Sequence, residues 1–125
     1  MSLLDTLFLM IFAHALADFV LQPEAMGYGK NRHAAIHEKE HSLFPVWWYW
    51  LSAHSLIHGG SVYVVAALII GSSYAIVLAL VETIVHWLTD FAKCEGWIGV
   101  HTDQAIHIGC KIIYAVVIGN QLLGG

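Results

Sequence analysis

Charge is what this chain has least of. Of 125 residues only 11% are Asp, Glu, Lys or Arg, five basic against nine acidic. A soluble domain carries about 25% charged residues. With 58% hydrophobic residues and a mean hydropathy of +0.69, the shortfall excludes an ordinary soluble domain and indicates an integral membrane protein. The formal charge is −4 and there is no basic stripe to follow phosphates, so no nucleic-acid partner is expected. Cysteine is nearly absent too. Cys94 and Cys110 form no CxxC and no close pair, which leaves buried free thiols and excludes a disulfide framework or a thiolate zinc site.

What is present is four apolar runs. No Lys or Arg precedes Leu3 to Leu21, and His14 and Asp18 interrupt it where the core of a secretory signal is clean. It therefore reads as a retained transmembrane helix, ended by Gln22-Pro23. Residues 23–45 form the one long polar loop, with three of the five basic residues. His33, His37 and His41 repeat there every four residues, which allows a short interfacial helix from about Asn31 to Leu43. Pro45 opens the second run, 46–70, and Trp47, Trp48, Tyr49 and Trp50 suit a membrane–water interface. Gly71-Ser72-Ser73 predicts a tight turn into the third run, 74–94, so the second and third runs are expected as antiparallel neighbours. EGWIGVHT makes a short loop before the fourth run, 103–123. The expected architecture is a single all-α membrane domain over 1–125, four transmembrane helices in an up-down-up-down bundle. Lys30, Arg32, Lys39 and Lys93 all fall on the side of the two longer loops. The positive-inside rule puts those loops in the cytoplasm and both termini outside.

Each run also carries ionisable residues four apart: His14 and Asp18; His54 and His58; Glu82, His86 and Asp90; Asp103 and His107. On a helix an i, i+4 series lies on one face. Such residues are costly in lipid, so they normally face a bundle interior, pair with one another or mark a functional site. At ~1.5 Å per residue, His14, His54 and His86 lie roughly 12 Å in from the loop side. Asp18, Asp90 and His107 lie roughly 6 Å in, and His58 and Glu82 roughly 18 Å in. Histidine and carboxylate without thiolate fit a divalent metal ion, zinc first, with iron or manganese as alternatives. The expected ligands are His14, Asp18, His54, His58, His86, Asp90 and His107. Glu82 is the expected general base or a bridging ligand. Gln22, Asp103 and Gln104 stand beside the ligands as orienting partners. Lys111 must pair if charged, with Glu82 or Asp103. Lys93 either pairs with Asp90 or holds a substrate phosphate or carboxylate. His33, His37 and His41 are left out of the site, and His101 is expected in solvent. Ala13, Ala17 and Gly59-Gly60 are small enough to let helices approach.

The string His14-x-x-x-Asp18-Phe19-x-Leu21-Gln22, with His54-x-x-x-His58, His86-x-x-x-Asp90-x-x-Lys93 and Asp103-Gln104-x-x-His107, resembles a family of small bacterial and phage integral membrane proteins catalogued as a domain of unknown function. That resemblance covers essentially the whole chain and implies four spans in a bacterial inner membrane, without an activity. His54-Ser55-x-x-His58 and His14-x-x-x-Asp18 are also similar to motifs of membrane-bound metal-dependent hydrolases. The functional expectation is a metal-dependent hydrolase acting on a lipid-linked ester, amide or phosphoester at the cytoplasmic membrane face. The alternatives are a di-iron or haem redox protein, an ion or proton pathway, and a phage membrane effector. Four short helices bury little surface, which is compatible with a homo-oligomer.

Overall fold

A computed structural model describes residues 1–38 and 43–123 of the chain. Among them no strand occurs. Helix α1, Leu3–Ala15, runs on into a π-helical turn at Leu16–Val20; α2 is Glu24–Gly29, a 3₁₀ turn follows at Ala35–Glu38, and α3 (Trp47–Ile70), α4 (Ser72–Cys94) and α5 (Val100–Leu123) complete the fold.

Local chemistry sets these boundaries. Ser2 and Asp5 form a reciprocal capping box that satisfies free N–H groups at the start of α1. At its other end the Leu21 amide donates to the Leu16 carbonyl at 2.9 Å, a five-residue step that widens the turn carrying Asp18. Gly71 alone separates α3 from α4, with φ at +83°, a conformation glycine adopts at no steric cost. The expected turn at 71–73 therefore shrinks to one residue, and Ser72 and Ser73 already belong to α4. Helix α5 likewise starts three residues before the expected 103.

The long loop differs more. Over the described residues 31–38, two short turns stand where part of a single helix over Asn31–Leu43 is expected, because the histidines there are used separately. His33 reaches Glu95 at 3.2 Å, whereas His37 meets the Gly29 carbonyl at 2.9 Å. His41 and Lys39, on which parts of the helix and orientation expectations fall, lie outside the described residues.

Helices α3 and α4 pack along their length. Trp47 stacks near Phe91, the Trp87 indole N–H donates to Ser52, and Gly59 lies against Ala79 and Thr83. A Cβ on Gly59 would overlap the Thr83 hydroxyl, so glycine is what permits this approach; Gly60 has open space. Helix α5 closes against α1, with Gln104 near Asp18 and Gly119 near Leu3.

The distribution of side chains is inverted relative to a soluble protein. Leu4, Phe19 and Leu68 are 76%, 75% and 79% exposed, while Lys111, His54, His58 and His86 are 0% exposed. Met10, Ala13, Val62, Val65, Ala66, Ala75, Tyr114 and Ile118 form an apolar cluster towards the Gly71 end. Three helical stretches, Leu3–Val20, Trp47–Ile70 and Ser72–Cys94, are long and apolar enough to cross a membrane.

Candidate functional site

The polar stripes meet at the opposite end from that apolar cluster. His14, His54, His58, Glu82, His86, Asp90, Asp103 and His107 are all buried, and Asp18 is nearly so. The His58 and His86 rings stack 3.6 Å apart, His107 stacks on His86 at 4.0 Å, and His54 stands edge-on to His86 at 5.0 Å. Asp18 Oδ1 is 3.0 Å from His58 Nε2 and 3.4 Å from His54 Nε2. Its other oxygen accepts the Gln104 amide at 2.9 Å and lies 3.5 Å from His14 Nε2, and His14 in turn is 3.3 Å from Gln104 Oε1.

Three of the cluster's four carboxylates are neutralised by lysine. Glu82, one of the two partners expected for Lys111, pairs with it through Oε1. Lys93 bridges Asp90 Oδ1 at 2.7 Å and Asp103 Oδ2 at 2.9 Å. Lys30 takes the second Asp90 oxygen. Asp18 is the exception: among the described residues no lysine or arginine lies within ion-pair reach of it.

Three donor groups could each hold a cation, their ligand atoms lying within 4.8 Å of one another: Asp18, His54, His58 and His86; Glu82, His86 and His107; Asp90, Asp103 and His107. Several buried ring nitrogens make no hydrogen bond, both of His54 and both of His86 among them. An unpaired buried polar atom is costly. Glu82 lies behind the ring pair, its Oε1 3.5 Å from His86 Nδ1 and 4.0 Å from His58 Nδ1.

The expected residues come together, but their levels differ from the count of 1.5 Å per residue. His54 meets Asp18 and Asp90, and His58 meets His86, each one level nearer the loop side than predicted. Side chains lean toward their helix N-terminus. On α3 that direction is toward the loop side, and on α1 and α4 it is away from it, so partners meet about a turn off. His107 sits one level deeper because α5 begins earlier.

Gln22 is more peripheral, 3.4 Å from the Asp18 backbone carbonyl. It lines a cleft of about 210 Å³ with Asp18, Phe19, Lys30, Lys93, Val100, Asp103 and Gln104. His101 is exposed, and His33 and His37 bind elsewhere. Lys30 is the residue the sequence did not reveal. Its signal is the glycine before it: a Cβ on Gly29 would overlap the Trp50 ring, so glycine lets the loop press onto α3 and turn Lys30 inward. Beyond the cluster, Arg32 clamps Glu95 with contacts of 2.6 and 2.8 Å and lies over Phe91. That guanidinium holds the Glu95 carboxyl below the usual range.

A family model described as "Protein of unknown function (DUF3307)" matches residues 6–123, and the chain belongs to that family. No curated protein and no solved structure matches it.

Proposed function

We propose that this family member is a four-span, up-down-up-down membrane protein with one divalent metal centre, and that it is a metal-dependent hydrolase of lipid-linked esters, amides or phosphoesters. Helix α5 serves as the fourth span: its 24 residues reach across a bilayer core, and its polar residues Asp103, His107 and Lys111 face inward. The location that fits is a bacterial inner membrane, with the long loops cytoplasmic and the termini outside.

The observation that carries the metal reading is Asp18, the carboxylate of the cluster that has no lysine among the described residues, set among His54, His58 and His86. In a tetrahedral site with bonds near 2.0–2.1 Å, donor atoms stand about 3.3 Å apart. The Asp18 Oδ1 distances to His58 and His54 are 3.0 and 3.4 Å. The ligand set narrows to these four from the seven expected. Zinc is favoured, with iron or manganese as alternatives. Glu82 suits a role other than general base: facing the Nδ1 atoms of His86 and His58, it orients both rings. His14 and Gln104 steady the second Asp18 oxygen. A divalent ion held by three of these donors would leave a position for water, lower the pKa of that water to about 7 and polarise the scissile group. The side open to water and substrate is the cleft that Asp18 lines.

Elemental analysis of detergent-purified protein tests this. Wild type should hold one metal per chain, His58→Ala and His86→Ala none, and Glu82→Gln should bind it ~10–100-fold more weakly. A wild-type sample without stoichiometric metal would sink the reading, and a visible absorption spectrum separates colourless zinc from an iron or haem redox centre.

A further inference from the structure

We infer that the cleft binds an oxyanion, a phosphate or carboxylate group, on Lys30 and Lys93, and that it does so only when the metal is in place. The inference rests on the proposed metal centre. An ammonium group has three N–H donors. Lys93 uses two, on Asp90 and Asp103, and Lys30 uses one, on Asp90. Three donors therefore remain on two side chains that both line the same cleft. The lining carboxylates have partners of their own: Asp18 has His58 and Gln104, and Asp103 has Lys93 on Oδ2 while its Oδ1 lies 3.3 Å from His107 Nε2. The buried Oε1 of Gln22, also in the lining, has no hydrogen-bond partner and is available to a protonated oxygen of the ligand.

Charge decides when an anion enters. In the pocket Asp18, Glu82, Asp90 and Asp103 face Lys30, Lys93 and Lys111, four carboxylates against three ammonium groups, set among the histidines. With the three ammonium groups committed to carboxylates, that arrangement offers a further anion little net attraction. A dication on Asp18 would add two positive charges at the wall of the same cleft. Binding of the two is then linked, each raising the affinity for the other by the same factor. The lips, Phe19 and Val100, are apolar and exposed, so the anion can belong to a lipid head group or be free in solution.

Titration calorimetry with inorganic phosphate on detergent-purified full-length chain, zinc-loaded and metal-free, tests the coupling. The expected result is binding to the zinc-loaded chain, at least ~10-fold weaker without metal, and ~10-fold weaker in zinc-loaded Lys93→Met. Because Lys93→Met disturbs Asp90 and Asp103, Val100→Trp serves as a second variant that narrows the cleft without changing charge. It should weaken phosphate binding and keep the metal. Nanodiscs containing phosphatidic acid that displace phosphate, where phosphatidylcholine nanodiscs do not, identify the lipid source; no displacement identifies the free anion. A metal-loaded chain that ignores phosphate, or binds it equally with and without metal or in all variants, overturns this inference and leaves the metal centre standing. A chain that holds no metal overturns both.

Discussion

At the scale of single residues, Asp18 and Asp90 are the informative pair, because both are buried carboxylates among the same histidines and their partners differ. Asp90 has an ammonium group on each oxygen, while Asp18 has only imidazoles and an amide. Their isosteric amides should therefore fail differently. Asp18→Asn removes a donor that bears no ion pair, so the metal content of purified protein should fall to near zero while the thermal midpoint of the metal-free form stays close to wild type. Asp90→Asn strands Lys30 as a buried cation and leaves Lys93 on Asp103 alone, and losing one partner of a buried pair costs roughly 3–5 kcal/mol. Its first symptom should be a lowered midpoint by scanning calorimetry in detergent, metal-free as well as loaded. Equal loss of metal and equal loss of stability in both variants would mean that the two carboxylates share one structural role.

At the scale of helices, the close contact of α3 with α4 holds His58 against His86 and within reach of Glu82. Gly59 sets that contact. Gly59→Val drives a side chain into Thr83, and overpacking of this kind costs about 1–3 kcal/mol. Gly60→Ala meets nothing and replaces glycine in a helix interior, a gain of about 0.5–1 kcal/mol. Thermal midpoints should move in opposite directions for these adjacent residues, with metal lost only in Gly59→Val. The i, i+4 stripes that bring the histidines together were legible in the sequence, because facing residues on a helix need only count. The level at which they meet was not. It depends on side-chain lean, on where α5 begins and on a π turn at Asp18 that no composition marks. Lys30 was hidden for a related reason: a loop residue enters a core through tertiary packing, here Gly29 on Trp50, which periodicity does not record. The same loop is tied down by Arg32 on Glu95. A carboxyl with a depressed pKa contributes its tether above the ordinary carboxylate range and loses it as pH falls through the lowered value. Protease resistance of the segment around Arg32 should hold from pH 7 to about pH 5 and fall only below the ordinary carboxylate range. Arg32→Ala should leave the segment open to protease already at pH 7; an unchanged profile would mean the clamp does not hold the loop.

At the scale of the whole molecule, the inverted distribution of side chains has one consistent environment. Exposed Phe8, Phe12, Leu56, Leu80, Ile84 and Ile113 surround a buried layer of histidine, carboxylate and lysine. Water would favour the reverse arrangement, and lipid favours this one because unpaired polar groups in it are costly. Composition alone announced this, since scarce charge and long apolar runs survive any uncertainty over helix ends. Orientation is harder to read. Of the basic residues that set it, Lys30, Arg32 and Lys93 are all held in ion pairs, so their count reports structure as well as topology. A direct measurement separates the two contributions. In a cysteine-free background, Tyr28→Cys probes the long loop and Ser72→Cys the Gly71 turn, both exposed positions. If the long loops are cytoplasmic, a membrane-impermeant maleimide should label position 72 in intact spheroplasts and position 28 only after lysis. Labelling of 28 in intact cells and of 72 only after lysis would invert the molecule, placing the cleft between Phe19 and Val100 on the outer face and its anion in the periplasmic space. Labelling of both in intact cells would break the four-span reading itself, because the π turn, α2 and the Gly71 turn would then share one side of the membrane.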